Sequence, residues 1–171
     1  MSGEKRSRAV TARFFMALIF LVVPIRSALT ADSSFSSGVL DGMNFVGKLG
    51  PAGKPLDRDD TVYFGDGQFW SMGCVRCGFQ PGAYYVRNAN GGIEFQGVLE
   101  SIERGRLIYS GTVRDGRISA SINWRKDRWY WAIDKAFWFE GVLDGGIEAR
   151  SPEQAARLAS AADSVPEDCR L

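Results

Sequence analysis

The sequence predicts an all-β fold, an antiparallel up-and-down barrel of about eight strands followed by a short C-terminal helix. Three observations predict it. Short runs with period-two alternation of apolar and polar residues recur between turn signals, as half-buried strands require. Twenty glycines and 12% aromatics accompany them, without a long helical pattern. The motif aromatic-x-Gly-x-x, ending in Leu or Val, occurs at "FVGKL" (45–49), "FQGVL" (95–99), "YSGTV" (109–113) and "FEGVL" (139–143). An inward aromatic with a same-face glycine two residues on suits a strand that must coil or bend. Repeated along the chain, it favours an antiparallel sheet that closes on itself.

The first segment is set apart from the barrel. Lys5, Arg6, Arg8 and Arg13 precede the uncharged run "FFMALIFLVVPI" (14–25), and "RSALTADSS" follows. A basic start, an apolar stretch short for a membrane span and a small-residue exit predict a Sec-type signal peptide over residues 1–31, cut after Ala31. The alternative is an uncleaved membrane anchor. No cysteine follows the apolar run, which argues against a lipoprotein. Residues 32–38 then form a flexible mature N-terminus.

The barrel domain is expected over residues 39–150. Turn signals fall at "GPAGKP" (50–55), "GDG" (65–67), "FQPG" (79–82), "NANGG" (88–92), "ERG" (103–105), "RDG" (114–116) and "LDGG" (143–146). Between them, the inward sets read Ile93, Phe95, Gly97, Leu99, then Leu107, Tyr109, Gly111, Val113, then Ile118, Ala120, Ile122, Trp124. Asp115-Gly116 between two such runs is a strong hairpin signal, because that pair tolerates the positive φ angles of a two-residue turn. About eight strands enclose an interior that side chains can nearly fill, or that holds one small ligand. Phe45, Phe95, Tyr109, Trp124, Phe137 and Phe139 are therefore the candidate interior and ligand-binding residues. A helix and tail occupy residues 151–171. Ser151 is the predicted N-cap, with Pro152 at the first helical position and Gln154 completing a capping box. Ala155, Leu158, Ala159 and Ala162 share one face, and Pro166 stops the run.

"LDGMNFVG" (40–47), "DGQFWSMGC" (66–74), "GFQPGAY" (78–84) and "FWFEG" (137–141) together resemble a family of small exported bacterial proteins of unknown function, themselves similar to lipocalin-like (calycin) barrels. The resemblance spans roughly residues 39–143. It implies the fold and an extracytoplasmic address. Its motifs describe turns and strand starts, so it carries over no catalytic residue.

The chain holds no histidine. That removes Ser-His-Asp and Cys-His catalysis and every histidine-containing metal site. Glu94, Glu100 and Glu140 fall on outward positions, as on a solvated strand face. "LDRDD" (56–60) places Asp57, Asp59 and Asp60 in one stretch, but it lacks the glycine and distal glutamate of an EF-hand loop, so a solvated loop is expected. No metal and no cofactor are expected. Three cysteines without histidine cannot complete a four-ligand zinc site. Cys74 and Cys77 sit in a glycine-flanked loop, and export makes a disulfide the default. The favoured pairing is Cys74–Cys77, with Cys169 free or pairing between chains. The rival joins Cys169 to one of the pair and pins the C-terminal helix to the barrel.

In "NWRKDRWYW" (123–131), Trp124, Trp129, Tyr130 and Trp131 surround Arg125, Lys126 and Arg128, and Arg125, Lys126, Arg128, Trp129 and Trp131 make a candidate surface patch. Such a patch suits single-stranded nucleic acid, a sugar or a membrane interface. The plain alternative is a hairpin end whose aromatics divide between core and surface. Residues 32–171 carry 16 basic against 19 acidic side chains, a net of −3. A mildly acidic domain has no nucleic-acid footprint, and no nucleic-acid partner is expected. The leading expectation is an exported, non-enzymatic barrel that binds a small apolar or amphipathic ligand, without a stable membrane span once processed. The alternative is a periplasmic protein-binding module, such as an inhibitor of a protease or lysozyme in the envelope.

Overall fold

A computed structural model of the chain describes residues 37–145, 151–162 and 169. The expected signal peptide, its cleavage site and all but the end of the 32–38 segment lie outside the described residues, as does the helix stop at Pro166.

Eight strands form one closed antiparallel barrel in sequence order: β1 (Asn44–Pro51), β2 (Arg58–Gly65), β3 (Gln68–Ser71), β4 (Gly82–Ala89), β5 (Gly92–Ser101), β6 (Gly105–Arg114), β7 (Arg117–Arg128) and β8 (Trp131–Leu143). β8 returns to β1 through a register running from Phe45↔Leu143 to Pro51↔Phe137, which closes the ring. The fold class is the one the alternation predicts. Two helices interrupt or follow the strands: α1 (Met72–Arg76) between β3 and β4, and α2 (Pro152–Ser160) after the barrel.

One end of the barrel is tightly shut. Three two-residue turns there have positive φ at both central positions, namely Asp66-Gly67, Asn90-Gly91 and Asp115-Gly116. Their backbone twist matches that of the strands they join. The turn Gly38–Gly42 lies over this end. Its Leu40 is wholly buried, and its Asp41 accepts hydrogen bonds from the Gly67 amide (2.9 Å) and the Tyr84 hydroxyl (2.8 Å). The Tyr84 hydroxyl in turn accepts from the Leu40 amide at 3.0 Å. Burial and the Asp41 carboxylate push the Tyr84 phenol pKa up, so this latch stays protonated and donating.

The interior above the plug is aromatic. Phe64 sits at its centre, with ring centroids 5.0 Å from Tyr84, 5.4 Å from Phe95 and 6.1 Å from Phe45. Phe69 joins the stack at 5.1 Å from Tyr109. Edge-to-face contacts of this kind suit the ring quadrupoles. Phe45, Phe95, Tyr109, Trp124, Phe137 and Phe139 are all buried.

A second, smaller apolar cluster lies outside the wall. Tyr63 and Trp70, outward-facing on β2 and β3, stack at 5.6 Å and are covered by Val75 of α1 and by Ala155 and Ala159 of α2. The capping box of α2 forms as its sequence predicts, with the Ser151 hydroxyl accepting from the Gln154 amide and the Gln154 side chain accepting from the Ser151 amide. Its buried face differs from expectation. The helix described runs from Pro152 to Ser160, and Leu158 is 42% exposed instead of sharing the buried face. Small residues are what the flat Tyr63–Trp70 surface accepts, so Ala155 and Ala159, one turn apart, make the contact.

Candidate functional site: the α1 end of the barrel

At the end opposite the plug, the aromatic filling stops short and leaves a cavity of about 330 Å3. Its apolar wall comes from Leu49, Phe79, Leu107, Ile122 and Phe137. Its polar side comes from Arg58, Asp60, Cys74, Arg76 and Tyr109, and the Cys77–Cys169 bridge lies at its edge. Of the six interior aromatics singled out in the sequence, Tyr109 and Phe137 face this cavity. Phe45, Phe95, Trp124 and Phe139 serve as core instead. Trp124 is additionally tied down at its indole, which donates to the Arg104 carbonyl at 2.7 Å.

The disulfide differs from the favoured expectation. Cys77 pairs with Cys169, its Cα 5.5 Å away and 92 residues on, and Cys74 keeps a free, buried thiol. The reason is local. The segment expected as a glycine-flanked loop is a helical turn, capped when the Ser71 hydroxyl accepts from the Cys74 amide at 3.1 Å. Cys74 lies within that turn and aims its sulfur at the Tyr109 hydroxyl, 3.3 Å away, while Cys77 is the C-cap and meets the C-terminal tail.

Asp60 was the least expected member of the site. It belongs to β2 and is 8% exposed, so the solvated loop predicted for "LDRDD" begins to fail at Arg58, where the strand starts. Its carboxylate accepts from the Ser71 hydroxyl (2.5 Å), the Thr61 amide (2.8 Å) and the Gly73 amide (2.9 Å). Alternation was the available signal, because Asp60 has the same parity as the inward Val62 and Phe64. Burial raises the Asp60 pKa, and the three hydrogen bonds and the Arg76 charge only partly offset that. Burial, with the Asp60 charge, also pushes the Cys74 thiol up to about 12. The thiol is therefore protonated at neutral pH and is no ready nucleophile. Tyr109 is raised for the same reasons. The site is a hydrogen-bonded polar wall, with Asp60 and Cys74 buried, beside an apolar one.

The remaining candidates lie elsewhere. Glu100 and Glu140 are exposed, and Glu94 is half-buried in an ion pair with Arg87 at 2.5 Å. Asp59, exposed at the rim of the cavity, pairs with Lys48 at 2.7 Å. Arg125, Lys126, Arg128, Trp129 and Trp131 all sit on the β7–β8 hairpin outside the cavity lining. Among the described residues, no helix is long and apolar enough to cross a membrane, and no group of three acidic, cysteine or histidine side chains is placed to hold a metal.

The geometry defines a class, a small closed β-barrel with a ligand-sized cavity at one end. Compared with protein-family models, curated proteins and solved structures, the chain matches none.

Proposed function

We propose that this protein is an exported, non-enzymatic barrel that binds one small amphipathic molecule in the cavity at the α1 end. The observation that carries the reading is the cavity itself. Its volume of about 330 Å3 lies at the small end of the range that ligand sites occupy. Its two-sided lining asks for a ligand with an apolar body and a polar head. Leu49, Phe79, Leu107 and Phe137 suit the body, and Arg58, Arg76 and the Tyr109 hydroxyl suit the head. A chain without histidine, whose free thiol is held protonated, favours binding over catalysis. The Cys77–Cys169 disulfide is compatible with an oxidising compartment, and the signal-like residues 1–31 supply the export half of the reading. The likeness to lipocalin-like exported proteins belongs to the same proposal.

Native mass spectrometry of the protein recovered from its own envelope tests this. A small-molecule adduct is expected on the wild type. It should be missing from Ile122→Trp, which fills the cavity with an indole, while circular dichroism shows the barrel intact. A wild type without adduct, an adduct kept by Ile122→Trp, or a captured protein in place of a small molecule would overturn the reading.

A further inference from the structure

The β7–β8 hairpin leaves the barrel. β7 is paired with β6 only as far as Arg125↔Arg106, and β8 with β1 only as far as Phe137↔Pro51. Yet β7 and β8 stay paired with one another out to Arg128↔Trp131. Along β7 a two-stranded ribbon therefore projects past its last β6 partner by about 10 Å, three residues at about 3.3 Å each. An isolated ribbon is marginally stable in water. This one nonetheless carries its largest apolar side chains at the tip, where Trp129 is 93% exposed, Tyr130 64% and Trp131 44%. At the same end of the barrel, the β5–β6 turn presents Ile102 fully to solvent. Contiguous aromatic exposure of this sort marks a contact site.

Charge separates the ribbon from the rest of the chain. Residues 125–135 hold four basic side chains (Arg125, Lys126, Arg128, Lys135) against two acidic (Asp127, Asp134), a net of +2. The other residues from 32 onward hold 12 basic against 17 acidic, a net of −5. An anionic surface attracts the tip and repels the body, which orients the molecule tip-first. The rings also discriminate between partners. Trp129 and Tyr130 are inclined at 71°, Tyr130 and Trp131 at 55°. They form no parallel platform for stacking successive bases or a sugar face, whereas the headgroup region of a bilayer accepts tryptophan and tyrosine at any tilt. We propose that the tip of the β7–β8 ribbon docks this protein onto an anionic phospholipid bilayer. Trp129, Tyr130 and Trp131 enter the headgroup–acyl boundary. Arg128 faces the lipid phosphates, as does Arg125 in exchange for its 3.3 Å pair with Asp127. Lys126 donates to the Glu103 carbonyl at the base of the ribbon and adds its charge to the tip. The proposal is independent of what the cavity binds.

Vesicles whose lipids are brominated on the acyl chain report which tryptophans reach the bilayer, even if another segment of the full chain also touches it. With phosphatidylglycerol in the vesicles, quenching of the tryptophan fluorescence is expected. It should be absent with phosphatidylcholine alone, and it should be lost in Trp129→Phe/Trp131→Phe, whose exposed positions leave the fold unchanged. Arg125→Gln/Arg128→Gln should lower the quenching-derived partition coefficient about tenfold at low salt, and the difference should shrink as salt screens the charges. No quenching of Trp129 and Trp131 by anionic vesicles would overturn the proposal, as would equal quenching by neutral ones. Quenching of the same tryptophans by oligothymidylate but not by vesicles would assign the ribbon to single-stranded nucleic acid instead.

Discussion

Gly97 has no side chain because a ring stands where one would go. A Cβ built there would lie 2.3 Å from Cε1 of Phe69 and 3.0 Å from the Ala83 carbonyl. Phe69 is fully buried against Phe64, Phe95 and Tyr109, so it has no room to yield. Gly111 is the same device one strand on, its missing Cβ 2.6 Å from the Phe95 ring. Gly97 and Gly111 thus seat rings from other strands as well as permitting their own strands to coil. Gly97→Ala should destabilise the protein by about 1–3 kcal/mol in urea unfolding, the usual cost of overpacking a core. Gly145→Ala, with open space around it, should change stability by less than about 0.5 kcal/mol. Adding Phe69→Leu should relieve part of the Gly97→Ala cost, because the two positions share one contact and their effects do not add.

The strands were legible because each announces itself locally. Alternation marks β5, β6 and β7, and Asp-Gly and Asn-Gly mark the turns of the shut end. The β7–β8 turn at Trp129-Tyr130 contains no glycine or proline to mark it, which is why its aromatics stood out in the sequence as a patch before they could be placed on a projecting ribbon. The cavity was illegible for a different reason. Its polar wall is assembled from β2, α1 and β6, and Cys74 of α1 meets Tyr109 of β6 only once the barrel is closed. An aspartate at a strand start resembles a loop residue until Ser71 at the end of β3 and Gly73 of α1 bind it. That arrangement has a consequence for pH. Asp60 has its pKa raised above the ordinary 3.8, so the folded state holds its proton to higher pH than the unfolded state does. The folded state then binds more protons, and the contribution of Asp60 to stability falls as pH rises from about 3.8 through the raised value. Asp60→Asn keeps an oxygen for the Thr61 and Gly73 amides and removes the buried charge. It should be at least as stable as the wild type at neutral pH and lack that descending step. Denaturation midpoints of the two proteins from pH 3 to 8 check this, since the wild-type contribution is confined to the interval between the two Asp60 pKa values.

Across the whole molecule, the ends of the barrel are held by different means. The shut end relies on three tight turns and on the hydrogen-bonded Leu40–Asp41–Tyr84 latch. The α1 end joins parts distant in sequence, and its longest tie is the Cys77–Cys169 bridge, which closes a loop spanning 92 residues and reaches past α2 to the edge of the cavity. A crosslink across a loop of that length restricts the unfolded chain strongly, and loss of such a bridge typically costs about 2–5 kcal/mol. The barrel itself is closed by backbone pairing of β1 with β8 and does not need the bridge for its topology. Cys169→Ser should therefore lower stability by about 2–5 kcal/mol while leaving the strand signature of the circular dichroism spectrum in place. The tie also fixes what a tryptic map must show. Cleavage after Arg76 parts Cys74 from Cys77, so a non-reducing digest of the alkylated wild type should join the peptide beginning at Cys77 to the one containing Cys169. Cys74 should take up alkylating reagent only after unfolding, because it is buried and its thiol sits near 12. A Cys74–Cys77 crosslink in that digest, or Cys169→Ser with unchanged stability, would show that the two ends of the barrel are not held as described here.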